Sequence, residues 1–404
     1  MRTRALLLLA LAASCAAPTP ITTTLANDDA PARAREMHSR MITIDTHDDI
    51  PFNFATPEVD PLNADRQVNL EKMKAGGLDV GFFIVYVGQG PRTPEGNDSA
   101  KALARTKFEA IHRMARMYPE RVVLATSPDD VERAKREGRL AAAIGIENGY
   151  VIGRDLRLIE EYHRLGARYM TLAHGANNDI CDSSTDQAGP EHNGVSAFGR
   201  DVVREMNRVG MMVDISHVSR DCMMQATALS SLPVIASHSS TKAFANVPRN
   251  LDDEQLRAIR RNGGVAQMVA LAGYVKVDQP EKRAAIDSLR QSMGIRGGRG
   301  AMASLTPEQR AEYRRGLDAI EARWPGANVA DFVNHIDHAV KVAGIDHVGI
   351  SSDFDGGGGI HGWRDASETM NVTAELIRRG YGETDIRKLW GGNLLRVWRA
   401  NRKE

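Results

Sequence analysis

Cysteine, aromatic side chains and surplus charge are what this chain has little of: three cysteines in 404 residues, 5% Phe, Trp and Tyr, and 52 basic residues balanced by 52 acidic ones. A formal net charge of zero gives no sign of the basic surface that nucleic-acid binding uses, and no nucleic-acid partner is expected. Long hydrophobic runs are missing too. The apolar stretch from Ala5 to Ala13 is too short to cross a bilayer as a permanent helix. With 42% hydrophobic and 26% charged residues, the chain falls in the globular class and is long enough to bury a full-sized core.

The N-terminus has the order of a secretory signal. Arg2 and Arg4 precede the apolar stretch, and the small residues Ser14-Cys15-Ala16-Ala17 follow it. A signal peptide is expected over residues 1–26, with two processing readings. Cleavage near Ala17 or Ala26 releases a soluble periplasmic or extracellular protein. Cleavage before Cys15, where Ala12-Ala13-Ser14-Cys15 resembles a bacterial lipoprotein box without its usual leucine, leaves a lipid anchor on the thiol. Either way Cys181 and Cys222 remain. An exported protein permits a disulfide between them, and two buried thiols are the competing expectation.

From about residue 37 to 404 the pattern is that of one domain. Eight apolar runs of strand length recur: Met41–Asp45, Val80–Val87, Leu140–Ile146, Tyr169–Ala173, Met211–Ser216, Val234–Ser237, Val265–Leu271 and Val348–Ser351. Helical periodicity separates them, as in Ala100–Met117, Leu156–Leu165, Phe198–Val209 and Asp252–Arg261. Such alternation implies a parallel sheet covered by helices. Eight repeats predict an α/β fold, a (β/α)8 TIM barrel, over an open doubly wound sheet. Between the seventh and eighth runs, about residues 272–328 form a mainly helical insertion. It carries the Gly and Arg patch 294–300, read as a solvated loop, and a helix opened by the capping box Thr306-Pro307-Glu308-Gln309. By topology the insertion sits on the face where a barrel keeps its active site, as a lid or an appendage.

Metal-ligand side chains fall where these runs end: His47 and Asp49, then Glu147, His217 and His238. A lone His-x-Asp is weak evidence, and single histidines are more often hydrogen-bonded core or surface residues. Position strengthens the signal, because the carboxyl ends of all barrel strands converge on one face. Three imidazoles and two carboxylates suit catalytic Zn2+. Glu147 offers one oxygen to each of two metals, with His47 and Asp49 completing one site and His217 and His238 the other. Two metals a few ångströms apart share a bridging hydroxide that attacks a carbonyl. Asp353, at the end of the eighth run, is expected to shuttle the proton, and is preferred to Asp355 because a glycine run follows the latter. His174, ending the fourth run, is a candidate oxyanion donor or a structural histidine. Arg249, in the loop after the sixth, offers a fork to a carboxylate or forms a surface salt bridge.

The segments IDTHDDIPFN, QVNLEKMKAGGLDVGFF, GIENG, LGARYMTLAHGANN, FGRDVVREMNRVGMMVDISHVS, ASHSS, PRNLDDEQLRAIRRNGGV, AGIDHVGISSDFDG and GGNLLRV resemble the membrane (renal) dipeptidase family of the amidohydrolase superfamily. The likeness runs from about Ile42 to Val397. It implies a (β/α)8 barrel with a binuclear zinc site that hydrolyses dipeptides, in some members those with a D-residue at the second position. It also implies His47, Asp49 and Glu147 on one zinc and Glu147, His217 and His238 on the other. His174 becomes the transition-state donor, Arg249 the clamp on the substrate carboxylate and Asp353 the proton shuttle. Two departures bear on side-chain selectivity. Asn148-Gly149-Tyr150 follows the bridging glutamate where many members have Gly-Gly-His. The loop Asn177–Asp182 lacks a tryptophan found in the mammalian pattern.

Two other function classes remain at this level. A related amidohydrolase would open N-acyl amino acids, lactams or lactones, since the same hydroxide attacks any suitable carbonyl. An exported peptide-binding protein would keep the barrel and lose turnover, but every expected catalytic position is filled. Homodimer formation is left open.

Overall fold

The structure, a computed structural model, describes residues 29–295 and 305–402 of the 404. The expected signal segment, Cys15 included, and most of the Gly and Arg patch lie outside the described residues. Helix Ala30–Arg40 begins the fold ahead of the expected boundary at residue 37, with Ala30, Ala34, Met37 and His38 buried.

The apolar runs become parallel strands: β1 (Ile44–Asp49), β2 (Val80–Tyr86), β3 (Val122–Leu124), β4 (Leu140–Glu147), β5 (Ala167–Thr171), β6 (Met212–Asp214), β7 (Ile235–Ala236), β8 (Val265–Val269) and β9 (Val348–Ser351). Their order is β1-β2-β4-β5-β6-β7-β8-β9, with β3 pairing only to β4. All ladders are parallel. The two ends meet through an Asp48–Phe354 bridge and the Asp49 amide on the Phe354 carbonyl at 2.9 Å. Asp45 ties the same seam, accepting the Ser352 amide at 2.9 Å. Eight strands and their flanking helices thus form a nearly closed TIM barrel, not the open sheet. β3 was not expected; Val122-Val123-Leu124 is too short to stand out as an apolar run.

Alternation along each strand divides its side chains between two cores. Phe82 and Ile84 of β2, Ala141 and Ala143 of β4 and Tyr169 of β5 share a cluster with Leu394, Leu395, Val397 and Trp398 of the C-terminal helix. Phe82 lies between Tyr169 and Trp398, with ring centroids 5.4 and 5.5 Å away. The other parity, such as Phe83, Val85, Ile144 and Ile146, packs with the surrounding helices. Glu147 shares the parity of Ala141, Ala143 and Gly145, so the barrel pattern brings its carboxylate to the mouth of the interior.

Between β8 and β9 the chain forms helices Ala272–Val275, Pro280–Ser292 and Pro307–Arg323 before helix Val329–Ala343. Thr306 and Gln309 make the expected reciprocal cap. Lys282, on helix Pro280–Ser292, pairs with Glu321 on helix Pro307–Arg323 at 2.6 Å. Cys181 and Cys222 are joined as a disulfide with Cα atoms 6.0 Å apart. Among the described residues no helix is long and apolar enough to cross a membrane.

Candidate active site

Strand ends deliver the site side chains to one cavity. His47 and Asp49 lie within β1, where an end was expected after Asp45, because the ladder to β2 resumes at Asp48 and Asp49 after a register shift. Glu147 is the last residue of β4. His174, His217, His238 and Asp353 sit just beyond β5, β6, β7 and β9. His217 and Asp353 have φ of 68° and 59°, a left-handed backbone that non-glycine residues rarely adopt and that concentrates at functional sites. The cavity has a volume of about 480 Å3 and is lined by Asp49, Glu147, His174, His217, His238, Arg249 and Asp353, among others.

Glu147 is the centre of the cluster. Its Oε2 lies 3.6 Å from His47 Nε2, while its Oε1 lies 2.9 Å from His217 Nε2, 3.5 Å from His238 Nε2 and 3.4 Å from His174 Nε2. His47 Nε2 also faces Asp49 at 3.9 Å and Asp353 at 4.0 Å. Three overlapping groups can each surround a cation: His47, Asp49 and Glu147; Glu147, His174 and His217; and His47, His238 and Asp353. The first is the expected trio. In the others His174 and Asp353 stand as close to the centre as the expected ligands, so proximity alone does not separate ligand from catalyst.

Hydrogen bonds fix the imidazole tautomers in the way a metal needs. The Tyr169 hydroxyl donates to the Thr46 carbonyl at 2.8 Å, so it accepts from His47 Nδ1–H at 3.1 Å. The buried His47 Nε2 is left with no hydrogen-bond partner. Ser237 Oγ likewise donates to Asp214 at 2.7 Å and accepts from His238 Nδ1–H at 2.8 Å. The His238 Nε2 lone pair then points toward His217 Nε2, 2.7 Å away. Lone pairs converging on a buried carboxylate fit a divalent cation. Tyr169 and Ser237 carry no sequence motif; only their places behind the ligands identify them.

Charge follows the same geometry. Burial alone would lower the pKa of His47, but Glu147, Asp49 and Asp353 raise it to about 9. Burial opposes ionisation of Glu147, yet His47 and His174 hold its carboxyl well below the usual range. Burial lowers His217 and His238 far below an ordinary histidine, and Arg249 adds to both effects. Asp353 is pushed up to about 8, by burial first and then by Asp49 and Glu147. A proton on His47 therefore sits where the carboxylates would favour a cation.

Around this centre, His174 packs against Tyr86, ring centroids 4.7 Å apart, with the Tyr86 hydroxyl 3.5 Å from its Nδ1. Arg249 is 4% exposed. Its Nη2 donates to the His238 carbonyl at 3.1 Å, its plane lies 5.4 Å from the Tyr274 ring, and its Nε lacks a partner. It is no surface salt bridge. Asp355 turns away from the centre to accept the Gln67 and Val68 amides, each at 3.2 Å, and to pair with Arg66 at 3.2 Å.

Known proteins resemble this chain in sequence and in fold. The family model described as membrane dipeptidase (peptidase family M19) matches residues 31–404. Dipeptidase tcpJ of Claviceps purpurea is 34% identical over 341 residues, 82% of this chain and 68% of that protein. The crystal structure of the probable dipeptidase PvdM from Pseudomonas aeruginosa superposes with a TM-score of 0.80 at 33% identity, covering 92% of this chain and 98% of that one. A metallo peptidase from Rhodobacter sphaeroides, 22% identical with a TM-score of 0.71 over 90% of this chain and 99% of its own, shares the fold. The chain belongs to the membrane dipeptidase family, peptidase family M19, and is a metal-dependent hydrolase.

Proposed function

We propose that this protein is a binuclear zinc dipeptidase that cleaves dipeptides with a free terminal carboxylate, including, as the family resemblance implies, those with a D-residue second. One observation carries the metal count: the two oxygens of Glu147 face different partners, Oε2 toward His47 and Oε1 toward His217 and His238. His47, Asp49 and Glu147 would hold one zinc, and Glu147, His217 and His238 the other. When bound, such a pair lowers the pKa of water and polarises the scissile carbonyl.

The chain's own groups do the rest. Arg249, buried with donors to spare, receives the substrate carboxylate and fixes the peptide's direction across the cavity. Asp353 takes a proton from the attacking water and delivers it to the leaving amine. Its place supports that role: buried just past the end of β9, with its carboxylate 4.0 Å from His47 Nε2, it faces the centre where the water would be held. His174, with the Tyr86 hydroxyl 3.5 Å from its Nδ1 and its Nε2 turned to the centre of the cluster, would donate from Nε2 to the oxyanion of the tetrahedral intermediate. The protein is an exported one in this proposal, released from its signal or anchored by lipid at Cys15.

Amino-acid release from a panel of L-L and L-D dipeptides tests it, run on purified protein with a chelator and after zinc restoration. Chelator-sensitive, zinc-restored cleavage confined to free-carboxylate dipeptides is expected. Failure of the zinc-loaded protein on every dipeptide, with turnover of N-acyl amino acids or lactones, would reassign the substrate.

A further inference from the structure

Besides Arg249, a buried lysine lines the cavity, and neither the metal chemistry nor the carboxylate clamp uses it. Lys107, in helix Pro94–Met117, is 4% exposed and contributes to the cavity wall. Its Nζ lies 5.0 Å from the Phe52 ring centroid and 5.6 Å from that of Tyr86. Such faces favour a cation without neutralising it. Among the described residues no ion pair or hydrogen bond engages that ammonium. Arg66, also in the wall, differs: it is committed to Asp355 at 3.2 Å and to the Asp49 carbonyl at 3.0 Å. Burial lowers the pKa of Lys107, while Asp49 and Glu147 work against that shift. A methionine would fill the same space without the cost of desolvating a charge. A buried cation open to a binding cavity calls for an anionic partner there.

Position identifies the partner. Lys107 belongs to the helix that follows β2, and Arg249 to the loop that follows β7. In the order β1-β2-β4-β5-β6-β7-β8-β9, three strands separate β2 from β7 in either direction, so the two cations face each other across the mouth. A dipeptide whose terminal carboxylate rests on Arg249 must carry its first residue over the metal-ligand cluster toward β2. Tyr86 lines the cavity there, beside an approach for methylene groups that ends at the ammonium.

We propose that Lys107 is a specificity-determining residue that receives an anionic side chain on the first residue, making dipeptides that begin with aspartate or glutamate the preferred substrates. This rests on the dipeptidase reading and on Arg249 holding the terminal carboxylate. A charge pair formed in a desolvated pocket gives at least about a tenfold preference. Lysine in the first position is repelled.

The zinc-loaded full chain is assayed for kcat/KM on L-Glu-L-Ala, L-Ala-L-Ala, L-Lys-L-Ala and L-Ala-L-Glu, as wild type and as Lys107→Met, Lys107→Arg and Lys107→Glu. Calorimetry with phosphinate dipeptide mimics bearing Glu or Ala first reads binding without turnover. Wild type should favour Glu-Ala over Ala-Ala about tenfold or more and gain nothing from Glu placed second. Lys107→Met should bring the Glu-Ala to Ala-Ala ratio near one, Lys107→Arg should keep it, and Lys107→Glu should shift preference to Lys-Ala. The affinity ratio of the mimics should follow. Cleavage of Ala-Ala with no preference for Glu-Ala in wild type, or a ratio unchanged in Lys107→Met, overturns the Lys107 assignment alone. No cleavage of any dipeptide overturns the dipeptidase reading and this one with it. If Lys107→Met does not fold, the wild-type ratio and Lys107→Arg decide.

Discussion

His47 shows how much of this site is decided behind the side chains that face the cavity. Its Nδ1 proton is taken by Tyr169, whose ring fits because β4 carries Gly145: a Cβ there would stand 2.2 Å from the Tyr169 ring. Removing the hydroxyl with Tyr169→Phe should lower metal affinity about 10- to 100-fold while leaving the barrel folded. Competition with a chromogenic chelator measures that loss; unchanged affinity would release Tyr169 from its positioning role. Asp353 makes a different claim. Asp353→Asn should retain metal by elemental analysis and lose roughly 100-fold or more of kcat, the range of general acid–base catalysis. Parent-like turnover would remove the proton-shuttle role.

Among the elements, the loop after β5 has the most to hold in place, since it leads from His174 to the next helix. Asp182 accepts the Glu191, His192 and Gly194 amides at 2.8, 2.9 and 2.8 Å. Cys181 ties the same loop to helix Arg220–Leu229, which starts soon after His217. The bridge closes a span of 41 residues, for which chain entropy gives about 4 kcal/mol of stabilisation. The double variant Cys181→Ala/Cys222→Ala should therefore unfold at lower denaturant with kcat/KM reduced, His174 being the group that loses support. Equal midpoints for the two proteins would mean that loop packing alone holds the segment.

At the scale of the whole molecule, helix Ala30–Arg40 is joined to the barrel through a buried histidine. His38 Nδ1–H donates to the Gly77 carbonyl at 3.1 Å, and Nε2 accepts from the Thr373 hydroxyl at 2.7 Å. That hydroxyl accepts from Trp390 Nε1–H at 2.7 Å. Both ring nitrogens are engaged with the imidazole neutral, and burial lowers its pKa to about 4. Between pH 4 and 6.5 the unfolded chain binds the proton that the folded chain refuses. Stability from this source is thus complete above pH 6.5 and falls as pH drops toward 4, by up to about 3 kcal/mol. Urea unfolding from pH 7 to 4 should be less pH-dependent in His38→Gln than in wild type.

The barrel and the side chains that gather at its candidate metal site were legible in the chain because both are written in short range. Parallel strands buried on two faces read as apolar runs, and a barrel brings their ends together whatever the loops do. Hence His47, Asp49, Glu147, His217 and His238 could be named before any geometry. What long-range packing decided stayed hidden: the Cys181–Cys222 pairing, the tautomers set by Tyr169 and Ser237, the release of Asp355 to bind backbone amides, and the meeting of Lys107 with the cavity. Those residues come from separate turns of the barrel. Their roles depend on distances and on water exclusion, which sequence spacing does not encode.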